Sequence, residues 1–228
     1  MLDIKLSDTQ GVPEEIEILS YGENQSLSEA VKRAKGKYTL LCDGDAVCDT
    51  PEEFFAEVDK AQADIITFDG GFLVKTSVLK GVSKLMTAVP VSQIYAVLEA
   101  KTIAKSAFTP FKSETEKFRY SEENAVSFLA AIEEFKKSKS KLSREIYAYA
   151  VDLICLRLTE FYISALLAIK KGELSEDNLA EFDTKLKDEI VLYLAFEKRF
   201  TVESLKKLRA KNFKVGFLTY KKLLKSDK

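Results

Sequence analysis

The chain has 228 residues, 46% hydrophobic and 31% charged, a balance suited to a globular protein with a sizeable core. It contains no histidine, which excludes a Ser-His-Asp triad, a Cys-His pair and any histidine-ligated zinc site. The formal net charge of −1 conceals an asymmetry: residues 1–110 hold 11 basic and 17 acidic side chains, and residues 111–228 hold 24 and 19.

Met1 to Gln10 is polar and acidic, so no signal peptide is expected. Asp3-Ile4-Lys5-Leu6 suits a first strand, and Ile16-Glu17-Ile18-Leu19 a second. Ser26 or Ser28 then caps a helix to about Lys35, with Leu27, Ala30, Val31 and Ala34 on its inner face. Gly36 ends that helix. Tyr38 to Leu41 reads as a short buried strand that delivers Asp43-Gly44-Asp45 at its carboxyl end. Cys42, Cys48 and Cys155 are odd in number and lack metal-ligand spacing, as expected for reduced thiols in a cytoplasmic protein.

Thr50-Pro51-Glu52-Glu53 is a helix start, with a capping hydroxyl, proline at the first position and glutamates favoured by the dipole. Phe54, Phe55, Val58 and Ala61 line that helix's apolar face. Asp64-Ile65-Ile66-Thr67-Phe68 is the next strand, ending at Asp69-Gly70-Gly71. Such alternation predicts an α/β fold with a mostly parallel sheet and helices packed on it. Beyond residue 72 the strand signal fades. Helices are expected over Val74 to Met86 and Val91 to Ala107, then a polar connector over 108–119. Further helices are expected over 121–138, 141–171, 175–198, 201–212 and 215–226, with Gly172 closing the longest. Asp152, Arg157 and Glu160 interrupt the most apolar stretch, which therefore suits a core helix rather than a membrane span. The expected organisation is an α/β domain over 1–112 and a helical region over 113–228.

Two carboxylates at the end of an apolar strand suit a divalent cation that holds a diphosphate; the alternative is a polar turn. Glu122 and Glu123 follow Ser121, either as an acidic pair with a chemical role or as an ordinary capped first turn. Residues 198–228 hold 11 basic and 2 acidic side chains, with Leu205, Leu208, Phe217, Leu218, Leu223 and Leu224 at helical spacing. That pattern suits terminal helices with a solvated face, or peripheral contact with an anionic membrane. No nucleic-acid motif accompanies the charge, so no nucleic-acid partner is expected.

The segment from Ser26 to Asp45 resembles family 2 nucleotide-diphospho-sugar glycosyltransferases, with a helix ending Ala34-Lys35-Gly36-Lys37-Tyr38, an apolar strand and Asp43-Gly44-Asp45. Ala63 to Phe68 and Phe72 to Lys75 resemble the family's next strand and the segment after it. The likeness spans roughly residues 3 to 80. It implies a GT-A fold, here truncated at its N-terminal side, followed by the helical region. It also implies a bacterial-type transferase of surface polysaccharide or glycoconjugate synthesis, moving a sugar from a nucleotide-diphospho-sugar to a sugar or lipid-linked acceptor hydroxyl. Mg²⁺ or Mn²⁺ would be the cofactor, Asp45 its direct ligand, and Asp43 would reach the ribose or the metal. Asp8 would contact the base. Glu122, Glu123 or Asp69 would be the acceptor-side carboxylate.

Two departures stand beside the likeness. The residues preceding Asp43 are too few for the family's complete first strand-helix unit, and Leu27-Ser28 replaces the Arg-Asn often found there. The rival expectation is a non-catalytic protein of this fold, or a helical interaction protein, that has lost nucleotide binding. A third is a subunit whose site another chain completes.

Overall fold

The computed structural model describes residues 16–20, 27–42, 46–48, 51–68, 71–85, 88–108, 111–113 and 120–199. The expected strand over 3–6 and the helices over 201–212 and 215–226 lie outside them. The chain forms two compact units, one from residues 1–116 with 137–150 and the other from 117–136 with 151–228.

The first unit is built on a five-stranded sheet in the order β1-β2-β5-β4-β6. Its strands are β1 (Ile16–Ser20), β2 (Tyr38–Cys42), β4 (Ile65–Phe68), β5 (Gly71–Lys75) and β6 (Ile103–Lys105). A separate ribbon pairs β3 (Ala46–Cys48) with β7 (Phe111–Ser113), antiparallel. The main sheet is mixed among the described residues, where a mostly parallel one was expected. β1 runs parallel to β2 and β4 to β6, but β5 is antiparallel to both β2 and β4. The cause is connection length: only Asp69 and Gly70 separate β4 from β5, and a parallel return needs a crossover of a dozen or more residues.

The expected helix over Val91 to Ala107 is also corrected. Helix α4 (Val89–Glu99) stops at an extended Ala100, and the chain then enters β6 beside β4. Asp64 enforces the stop by accepting hydrogen bonds from the Lys101 and Thr102 amides at 2.9 and 3.3 Å. The expected helix over Val74 to Met86 begins later, as α3 (Thr76–Val82) with a 3-10 turn over Ser83–Leu85.

Helices α1 (Leu27–Arg33) and α2 (Pro51–Ala61) fall where periodicity put them. Phe54 and Val58 of α2 are buried with Ile16, Tyr38, Leu40, Ile66, Phe68 and Leu73 in one cluster against the sheet. At the amino end of β4, Asp64 also pairs with Lys75 at 3.0 Å, its side chain 17% exposed. Burial pushes the Asp64 carboxyl up, but the Lys101 amide, the Lys75 ammonium and the Thr102 amide outweigh it and hold it below its ordinary value. Because the folded pKa is depressed, this stability is present above the unfolded pKa and lost as pH falls through the folded one. Asp64→Asn is expected to cost about 2 kcal/mol at neutral pH, since charge-assisted bonds are the stronger class. The gap from wild type should close as pH falls through the depressed folded pKa, and urea titrations across pH measure it. A deficit that persists unchanged to pH 2 would contradict the assignment.

The second unit is helical: most of α5 (Glu122–Ser138), α6 (Arg144–Lys171) from Val151 onward, α7 (Glu176–Lys187) and α8 (Ile190–Arg199). Gly172, at φ +80°, ends α6 as expected. The left-handed turn lets the Glu173 amide reach the Ala168 carbonyl at 2.9 Å and the Gly172 amide reach Ile169 at 3.0 Å. The expected helix over 175–198 is two helices, broken at Asp188 and Glu189, with Ser175 capping the first through the Asn178 amide. The core is aromatic, with Phe128, Phe161, Tyr162 and Phe182 all buried. Tyr162 donates to the buried Asp183 carboxylate, which Lys187 also pairs at 3.0 Å. No described helix is long and apolar enough to cross a membrane.

Candidate functional site

β1, β2, β4 and β6 all point the same way, so the chain leaves Ser20, Cys42, Phe68 and Lys105 at one edge of the sheet. This carboxyl edge is where open α/β sheets bind ligands, because loops and helix starts converge there without blocking one another. Two of these ends lead at once to a carboxylate, Asp43 after Cys42 and Asp69 after Phe68. Leu40 pairs with Leu73 and Phe68 with Gly71, so continuing the register brings Cys42 and Phe68 level across β5. Two strand spacings separate them, about 10 Å. Asp8, Asp43, Asp45 and Asp69 themselves lie outside the described residues.

The strands before and after Asp43-Gly44-Asp45 in sequence are both paired. Before it, β2 is sandwiched between β1 and β5, with Thr39, Leu40 and Leu41 buried. The Tyr38 hydroxyl donates to the Ala63 carbonyl at 2.9 Å, and the Thr39 and Thr76 hydroxyls share a buried hydrogen bond of 2.9 Å. Gln93, buried on α4, donates its amide to the Leu41 carbonyl at 3.3 Å, two residues before Asp43. After it, Ala46 enters β3 and pairs with Ser113 of β7. Among the described residues no group of three or more acids or cysteines gathers to hold a metal.

Glu122 and Glu123 belong to the second unit, exposed on the first turn of α5. Ser121 caps that turn, its hydroxyl accepting from the Asn124 amide at 3.0 Å. Glu122 lines a shallow groove of about 250 Å³ with Tyr120, Asn178, Glu181, Phe182 and Lys185, while Glu123 does not. Burial pushes the Tyr120 phenol up, and the charges of Glu122 and Glu181 add to that, against a hydrogen bond with Asn178.

Sequence reasoning missed Gln93, Glu57 and the β3–β7 ribbon. Gln93 carried a signal, a long amide in the otherwise apolar run Val-Pro-Val-Ser-Gln-Ile-Tyr-Ala-Val. The ribbon's strands have three residues each, too few to show a period.

The strand order, the carboxyl edge and the helical continuation define an α/β fold with a helical addition. No protein-family model and no curated protein matches the chain in sequence. Solved structures do match in fold. The crystal structure of S. aureus TarS 1–349 with UDP-GlcNAc has a TM-score of 0.52 at 15% identity, covering 86% of this chain and 70% of that one. The same protein with UDP gives 0.51 at 14% identity, with the same coverages. TarS is a glycosyltransferase.

Proposed function

We propose that this protein is a glycosyltransferase that binds a nucleotide-diphospho-sugar at the carboxyl edge of its sheet and transfers the sugar to an acceptor hydroxyl. The observation that carries the proposal is the end of β2 at that edge, directly before Asp43-Gly44-Asp45 in sequence, in a fold similar to that of S. aureus TarS solved with UDP-GlcNAc. The donor set fits a hard cation, because both side chains offer carboxylate oxygen. Asp43 and Asp45 would hold Mg²⁺ or Mn²⁺, which when bound offsets the charge of a diphosphate. The remaining chemistry falls to the chain. Asp8 would meet the base. A carboxylate, Glu122, Glu123 or Asp69, would take the acceptor's proton as its oxygen bonds to the anomeric carbon, the sugar–diphosphate bond breaks and the configuration inverts.

A second reading is favoured by Leu27. It is 4% exposed at the start of α1, so a core side chain occupies the position where the resembling family often carries a cation. That favours a protein of this fold that has lost nucleotide binding. Thermal melting with UDP, GDP or CDP, each with and without Mn²⁺, separates the two. A nucleotide at a hundred times its dissociation constant should add about 2.7 kcal/mol of stability, and only with metal. Melting curves indifferent to every nucleotide–metal pair would reject the transferase and leave the binding-deficient reading.

A further inference from the structure

We propose that Glu57 is a positioning residue that clamps the β6–β7 connection and, through the β3–β7 ribbon, fixes the exit of the Asp43-Gly44-Asp45 segment. The proposal rests on the transferase reading for what the segment binds, but not for the clamp itself.

Glu57 sits on α2 and reaches past the end of β6. One carboxylate oxygen accepts from the Ser106 hydroxyl at 2.5 Å and the other from the Ala107 amide at 3.3 Å. The Ser106 hydroxyl in turn accepts from the Phe108 amide at 2.9 Å, and the Ser106 amide donates to the Thr67 carbonyl at 2.7 Å. Three consecutive residues are thereby tied to α2 and to the carboxyl end of β4. Ser106 is 5% exposed, so its hydroxyl bonds form largely out of competition with water.

Downstream, only Thr109 and Pro110 separate Phe108 from Phe111, the first residue of β7. A three-residue step spans at most about 10 Å, so the clamp sets where β7 can begin. Among the described residues β7 pairs only with β3, and Ser113 lies opposite Ala46, which is bonded directly to Asp45. The ribbon shares no described pairing with the five-stranded sheet, so its placement depends on what holds its ends. A two-stranded ribbon has little stability by itself. Glu57 supplies that anchor from the helix that follows β3 in sequence.

The test compares Glu57→Ala, Glu57→Gln and the milder Ser106→Ala with wild type by amide hydrogen exchange and by UDP binding with Mn²⁺. Glu57→Ala should speed exchange of the β3 and β7 amides about tenfold while Ile18 and Leu40 keep their rates. It should weaken Mn²⁺-dependent UDP binding by about tenfold, with Gln, which keeps an acceptor oxygen, restoring most of both. Ser106→Ala should fall between. Unchanged β3 and β7 exchange in Glu57→Ala and Ser106→Ala would overturn the clamp, whatever happens to UDP. Faster ribbon exchange with undiminished UDP affinity would overturn its link to the carboxylates. A wild-type protein that binds no nucleotide, yet loses ribbon protection in Glu57→Ala, would reject the transferase reading and support the clamp.

Discussion

Under the proposed transferase function, Asp45→Ala is expected to lower sugar transfer about a thousandfold, with a smaller loss for Asp43→Ala. A cation at a departing diphosphate contributes several kcal/mol of charge stabilisation, and about 4 kcal/mol corresponds to three decades in rate. Asp45 directly precedes β3 in sequence, so Asp45→Ala removes the proposed ligand and leaves in place the residues of the Ala46–Ser113 and Leu40–Leu73 pairs. The variant should therefore melt within about 0.5 kcal/mol of wild type, as substitutions outside the core usually do. Release of nucleotide from a panel of nucleotide-diphospho-sugars, followed against Mn²⁺ concentration, makes the measurement. A rate within tenfold of wild type, with the same metal dependence, would mean these carboxylates do not hold the cation. The smaller effect at Asp43 follows from its alternative role: a contact to the ribose alone is worth about 1–3 kcal/mol.

The elements that lead to this site were readable because their signals are local. The Tyr38 to Leu41 run, the helix start at Pro51 and the Gly172 stop each depend on a few adjacent residues, and each is found in place. The direction of β5 was also readable in principle, since two residues between strands force a hairpin, but the apolar run Phe72-Leu73-Val74 merges into the following helix without a break. Other features were hidden for a physical reason. β6 is three residues long and is extended because Asp64, 37 residues earlier, captures the Lys101 amide. Glu57 acts on Ser106 across 49 residues. Neither pairing leaves a periodic trace, so the sequence shows the two aspartates and conceals the contacts that order the elements around them.

The largest stability effect is expected from Phe161→Ala, which should cost about 3–5 kcal/mol, the range for deleting a buried aromatic ring. Phe161 is fully buried on α6. Its ring centroid lies 4.5 Å from Phe182 of α7, 5.1 Å from Tyr120, 5.9 Å from Phe128 of α5 and 6.4 Å from Tyr162. Three helices and the segment entering α5 thus share one side chain, and each aromatic pair adds about 0.5–1.5 kcal/mol beyond burial. Neighbouring groups cannot easily fill the space. Tyr162 is tethered to Asp183, and the Tyr120 backbone amide donates to Ser164 at 2.6 Å. The cavity should persist, which puts the cost toward the upper end. Phe161→Leu, which keeps most of the volume, should lose less than about 1.5 kcal/mol. Urea unfolding of both variants, read by near-ultraviolet circular dichroism, decides it; equal losses in the two would mean that ring geometry, not buried volume, holds this core. The substitution has a functional consequence as well. Tyr120 and Glu122 line the same groove, and Tyr120 rests on Phe161. Removing that ring should therefore loosen Glu122, one of the carboxylates proposed to take the acceptor's proton.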